Sequence, residues 1–195
     1  DAAPSGDTVL VNDGVYAQGQ TAATIIIHSP MFSDMYTSTY RVAVTSPIAL
    51  RSVNGPQFTL IDGGGAMRCV LVVNGASLTG FTLTNGHCDP SSAGGGGVLC
   101  ESTNASLTNC TLTCNSAGYG GGVDGGTLYD CALRGNSASG GHWLFNPRVG
   151  GGATHSTLYN CTLTGNSSGS TGGGVDDCEL HGCLLSGHSA GEGGG

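Results

Sequence analysis

Lysine is absent from this chain of 195 residues, and all five basic side chains are arginine. Against 13 acidic residues the formal net charge is −8. Nucleic-acid binding needs a basic face to neutralise phosphates, so no nucleic-acid role is expected. The same deficit disfavours an anionic membrane surface. Charged residues make up 9% of the chain, where about 25% is usual, which is too few to solvate the outside of a helical bundle. No apolar run approaches the ~20 residues of a membrane-spanning helix, and no long segment keeps a period near 3.6. Tryptophan occurs once. The nine cysteines include no Cys-x-x-Cys pair, so no zinc site is expected; no cofactor is expected either, with calcium left open but not indicated.

What the chain has in excess is glycine, 37 residues of it, set in phrases that recur. "LTNCTLTCNSA" starts at Leu107, "LYDCALRGNSA" at Leu128, "LYNCTLTGNSS" at Leu158 and "LHGCLLSGHSA" at Leu180. A divergent copy, "LTGFTLTNG", starts at Leu78. Phe81, Cys110, Cys131, Cys161 and Cys183 mark one place in successive copies, with steps of 29, 21, 30 and 22 residues. A Gly-Gly-Gly run follows each copy, and eight residues separate Val123, Ala153 and Val175 from the next marker cysteine. The basic period is thus 21–22 residues, and the long steps carry insertions. Self-similarity at such a period defines a solenoid.

Within one copy, Leu158, Cys161 and Leu163 are the apolar positions. Cys-x-Leu alternates as a strand does. The three-residue step from Leu158 to Cys161 breaks the alternation and predicts a corner at Asn160, matched by Asn109, Asp130 and Gly182. A second corner falls at Gly165-Asn166, as at Gly135-Asn136, and the Gly-Gly-Gly-Val segment supplies a third strand. Three strands and three turns close one rung of an all-β, right-handed parallel β-helix of about seven rungs. Rungs stack ~4.8 Å apart. Equivalent residues then form ladders: Cys110, Cys131, Cys161 and Cys183 inside; Asn115, Asn136 and Asn166 at a turn, continued by His188; Tyr129, Tyr159 and His181 outside. The chain reads as one domain over 1–195, less regular over 1–75 and laddered over 76–195.

The stretches "GDTVLVNDGVYA" and "PIALRSVNGPQFTLIDG", with the "NCTLTGNS…GGG" repeats, resemble bacterial right-handed β-helix repeat proteins of the pectate-lyase-like superfamily. The resemblance covers essentially the whole chain. It implies an exported or cell-surface protein, with a capping helix before "GDTV" and more rungs downstream, so the chain is expected to be a piece of a longer one. The fold hosts lyases, hydrolases, adhesins and passive stalks, so function must be argued from the site. Open rungs can pair with another molecule, and end-to-end stacking into a fibre is expected on that ground.

Candidate sites lie on one edge of the solenoid, where insertions at 85–97 and 139–149 flank the rung of Tyr119. They are expected to wall a cleft. The second insertion holds His142, Trp143, Phe145 and Arg148; the first holds His87 and Asp89. Aromatic faces stack on sugars and Arg pairs with carboxylates, so a polysaccharide or surface glycan is the expected ligand; the same aromatics would equally pack on protein. Asp124, with Asp176 and Asp177 two rungs on, are the candidate catalytic acids. Asp124 and Asp176 would stand ~10 Å apart, near the upper limit for an inverting glycosidase pair. A lyase of the resembled superfamily would need several calcium-binding carboxylates and an Arg or Lys base, and only Arg148 is near this edge. Cys88 and Cys100 flank the first insertion and are placed to clamp it. The sequons at Asn104, Asn109, Asn160 and Asn166 are candidate glycosylation sites. A structural or adhesive module is the leading expectation, and a carbohydrate-active enzyme the alternative.

Overall fold

The computed structural model describes residues 3–28, 33–89, 94–140 and 149–191, with backbone alone at 24–28 and 33–36. Seven rungs follow one another. The first contains β1 (Thr8–Val11), β2 (Gly14–Tyr16), β3 (Thr21–His28) and β4 (Ser33–Val44). The second contains β5 (Ala49–Ser52), β6 (Thr59–Asp62) and β7 (Arg68–Val72), and the third β8 (Ser77–Thr79), β9 (Thr82–Thr84) and β10 (Val98–Cys100). The fourth contains β11 (Ser106–Thr108), β12 (Thr111–Thr113), β13 (Ser116–Ala117) and β14 (Val123–Asp124). The fifth repeats that pattern as β15 (Thr127–Tyr129), β16 (Ala132–Arg134), β17 (Ser137–Ala138) and β18 (Ala153–Thr154). The sixth is β19 (Thr157–Tyr159), β20 (Thr162–Thr164), β21 (Ser167–Ser168) and β22 (Val175–Asp176). The seventh is β23 (Glu179–His181), β24 (Leu184–Ser186) and β25 (Ser189–Ala190). No helix occurs among the described residues.

Stacking these rungs builds the sheets. Sheet 1 runs β1-β5-β8-β11-β15-β19-β23, sheet 2 β2-β6-β9-β12-β16-β20-β24, and sheet 3 β3-β4-β7-β10-β14-β18-β22. The chain is therefore the expected parallel β-helix. Two features differ from the expectation. From the fourth rung on, a two-residue strand after the ladder Asn makes a fourth sheet, β13-β17-β21-β25, so these rungs have four strands rather than three. Two residues are too short to show alternation. In the first rung, β3 and β4 pair antiparallel as a hairpin, with Thr21 opposite Tyr40, and β4 then joins β7 in parallel.

The corners sit where small or amide residues allow them. Asn109, Asp130 and Asn160 have φ of 50°, 53° and 54°, and Gly182 has 64°. The left-handed region is open to Gly and tolerated by Asn and Asp. Gly135 and Gly165 turn the second corner with φ of 58° and 59°, and Cys114 takes the same conformation at 56°.

Between the corners the interior is a set of identical rows. Leu78, Leu107, Leu128 and Leu158 of sheet 1 and Leu83, Leu112, Leu133 and Leu163 of sheet 2 are fully buried. Burying a leucine stabilises by about 1.5–3 kcal/mol, so these two rows supply much of the hydrophobic drive. The glycine runs pass beside the amide ladder: a Cβ on Gly122 would lie 2.5 Å from the Gly152 carbonyl and 3.1 Å from Asn136 Nδ2.

Candidate functional site

The two polar ladders are built as expected. Asn115 Nδ2 donates to Asn136 Oδ1 and to the Leu83 carbonyl, each at 3.0 Å. Asn136 Nδ2 donates to Asn166 Oδ1 at 3.0 Å and to the Leu112 carbonyl at 2.9 Å. The Asn166 backbone N–H donates to His188 Nδ1 at 3.1 Å, so His188 does continue the row. Burial pulls the His188 pKa down. The backbone N–H groups of Cys110, Cys131 and Cys161 each donate to the sulfur of the next rung at 3.4 Å. Outside, Tyr129 stacks on Tyr159 at 5.2 Å and Tyr159 on His181 at 4.5 Å. Each ring covers its neighbour's face, so this row offers mainly edges to a ligand.

The outer face of sheet 3 is where unlike residues meet. Register places Leu71, Leu99, Asp124, Thr154 and Asp176 in one row. Leu71 and Leu99 pack with Tyr40 in a small cluster separate from the main core. Beyond them the row turns polar. His155 Nδ1 lies 2.9 Å from Asp124 Oδ1, and its Nε2 lies 3.8 Å from Asp177 Oδ2 on the following rung. The hydrogen bond with Asp124 raises the His155 pKa; burial opposes it, and Asp177 and Asp176 add to it. The Tyr119 ring meets His155 edge-on at 6.3 Å. Burial, then the Asp124 charge, pushes the Tyr119 phenol up to about 12. A shallow depression of about 550 Å³ opens beside His155, Asp177 and Glu179.

The expected acids are therefore aligned but differently occupied. Asp124 and Asp176 share a row with Thr154 between them, as the repeat spacing requires. Asp176 Oδ2 accepts from the Val149 N–H at 3.0 Å and from the Thr171 hydroxyl at 2.6 Å. A carboxylate holding two donors is committed as an acceptor. Asp177 is the corner residue, with φ of 50°. Sequence reasoning missed His155, which occupies the left-handed corner (φ 52°) where the preceding rung has Gly125. A histidine in a glycine place was the available signal.

The first insertion contributes a separate hollow of about 320 Å³, lined by His87, Asp89, Arg68 and Thr37–Thr39. His87 is not simply a loop residue: it bridges to Ser116 in parallel and its Nδ1 lies 2.9 Å from Ser116 Oγ. Arg68, also unforeseen, is buried, donates from Nε to the Gly94 carbonyl at 3.0 Å and lies over the Tyr40 ring. Tyr119 does stand on the rung between the insertions. His142, Trp143, Phe145 and Arg148 lie outside the described residues. Cys88 and Cys100 form no disulfide, so the expected clamp is not made. Burial pushes Cys88 up to about 11. Asn166 is fully buried within its ladder, which leaves no room for a glycan on the folded chain. Asn109 and Asn160 are exposed corners, and exposed Asn104 donates to Asn74 Oδ1 at 3.1 Å. Among the described residues no group of three or more His, Cys, Asp and Glu is arranged to hold a metal ion.

Fold and site together define a parallel β-solenoid with internal thiol and amide ladders and an imidazole–carboxylate cluster on its outer face. No family model, curated protein or solved structure matches the chain.

Proposed function

We propose that this chain is a structural or adhesive β-solenoid module, exported to the surface like the bacterial pectate-lyase-like repeat proteins it resembles. In this reading it contacts glycans along the insertion edge. The observation that carries the reading is the uninterrupted run of amide hydrogen bonds from Leu83 through Asn115 and Asn136 to Asn166. Such a ladder couples successive rungs and suits a stiff, extended part. Catalysis is less well served, because an enzyme needs titratable groups converging and available in a groove. Here Asp176 is occupied by two donors and Asp124 is engaged by His155.

A second reading, a carbohydrate-active hydrolase, is favoured by one observation: His155 and Asp177 line an open depression, and Asp124 contacts His155 from behind it. A polysaccharide panel with acidic and neutral members tests both, scored for retention and for new reducing ends. Retention without cleavage, reduced at least tenfold by Trp143→Ala, is the expected result. Cleavage that Asp124→Asn abolishes would replace the structural reading with the enzymatic one. Electron microscopy over a range of concentrations tests the fibre-forming variant: head-to-tail filaments would make assembly part of the function, and discrete particles would remove it.

A further inference from the structure

The inner sulfurs form a row of metal-ligating atoms to which the proposed function gives no chemical task. Cys110, Cys131, Cys161 and Cys183 immediately precede β12, β16, β20 and β24, which pair residue for residue. Their surroundings repeat as well. Each thiol also lies near the carbonyl two residues earlier, at 3.4 Å for Thr108, 3.2 Å for Tyr129, 3.3 Å for Tyr159 and 3.6 Å for His181. Atoms with the same surroundings on stacked rungs are separated by the rung translation, ~4.8 Å. Contacts with the Cys110 and Cys161 thiols, then burial, hold the Cys131 pKa well above its usual value. All four are free thiols.

A bond between a thiolate and a filled-shell ion such as zinc is about 2.3 Å long, so a linear sulfur–metal–sulfur unit spans about 4.6 Å. Adjacent ladder sulfurs therefore stand at the span of two-coordinate binding without a shift of the backbone. Three-ligand geometry is not available, which excludes zinc-type sites among the described residues. Thiolates select soft ions. Charge then decides between them. Two thiolates with a monovalent ion leave one net negative charge, which between Cys110 and Cys131 would sit among buried leucines, where an uncompensated charge is costly; Cys183, on the last rung, is only half-buried. Two thiolates with a divalent ion are neutral.

We propose that the cysteine ladder binds soft divalent ions in linear two-coordination, two per chain, one between Cys110 and Cys131 and one between Cys161 and Cys183. Each ion forms two metal–sulfur bonds and displaces two thiol protons to water, with no change of oxidation state.

Hg(II) is the probe. The folded chain is titrated at neutral pH in excess 2-mercaptoethanol, which strips ions held by a single thiol. Bound metal is counted by native mass spectrometry while circular dichroism follows the sheets. The expected counts are two for the unmodified chain, one for Cys131→Ser and none for Cys131→Ser/Cys161→Ser, whose remaining ladder thiols are three rungs apart. Cys131→Ala replaces the serine variant if serine disturbs the β spectrum. Equal retention by the double variant, no retention by the unmodified chain, or collapse of the β spectrum on binding would each overturn the site. Retention of two Ag(I) under the same conditions would overturn the preference for divalent ions.

Discussion

The inside of this solenoid and the outer face of its third sheet are made by opposite rules. Inside, the leucine, cysteine and asparagine rows repeat one residue type over successive rungs, and their members have matching partners: Asn115, Asn136 and Asn166 each donate to a leucine carbonyl of the rung before. Outside, one row passes from Leu71 and Leu99 through Asp124 and Thr154 to Asp176. Repetition makes the inner contacts cooperative along the axis, because a residue that satisfies one rung satisfies the next. Variation makes the outer contacts local, so a change there stays within one or two rungs. The fold is carried by what recurs and the site by what does not.

That contrast is most open to attack at the middle of the amide ladder. Asn136 donates to Leu112 and Asn166 and accepts from the backbone and side-chain N–H groups of Asn115. Asn136→Ala leaves several buried groups unpaired at about 1–3 kcal/mol each. A loss of about 3 kcal/mol or more in urea unfolding is expected. The outer Thr113→Ala should stay within about 0.5 kcal/mol. Equal losses at the two positions would erase the distinction between inside and outside. Next in size is Gly121→Ala, whose Cβ would lie 2.2 Å from the Ser137 carbonyl and 2.6 Å from that of Gly151. Both neighbours are backbone, so rungs must shift, at about 1–3 kcal/mol; the urea midpoint of the variant measures it. Smaller again is Tyr159→Ala, which removes the middle ring of the outer stack. About 1 kcal/mol is expected for the lost stacking, and restoration by Tyr159→Phe in thermal unfolding would assign it to the ring rather than the hydroxyl.

The same contrast governs what could be read from the sequence. The leucine, cysteine and asparagine rows were legible because a ladder writes the same letter once per rung, and their corners were legible because Asn109, Asp130 and Asn160 are residues that tolerate positive φ. The hairpin of β3 and β4 was not, since β-branched, apolar stretches such as "ATIIIH" and "YRVAV" suit a strand of either direction. Sheet 4 was hidden by strands of only two residues. At the candidate site, the alignment of Asp124, Thr154 and Asp176 followed from the repeat. The engagement of Asp124 by His155 did not, because it depends on a corner placing one imidazole across to the rung before. Arg68 was equally silent: its burial depends on the Gly94 carbonyl, supplied by an insertion that breaks the period.

His155 gives the smallest and most selective test. Its folded pKa lies above the unfolded value near 6.5 because Asp124 favours the imidazolium. Stability from this contact is therefore fully present below about pH 6.5 and is lost as pH rises through the raised folded value. The imidazole is 42% exposed while the Asp124 side chain is 12% exposed, so solvent screens the pair and a few tenths of a kcal/mol is the expected size. His155→Asn keeps a residue suited to φ of 52° and removes the titrating group. Urea midpoints at pH 5.5 and 8.5 should separate more in the unmodified chain than in the variant, with the unmodified chain gaining at the acid end. Moderate salt should shrink the difference, as screening of a half-exposed pair requires. An inner-ladder variant such as Asn136→Ala should lower both midpoints by similar amounts, because an amide does not titrate. If His155→Asn instead lowered stability equally at both pH values, the imidazole would be acting as packing against Tyr119 rather than as a charge between Asp124 and Asp177.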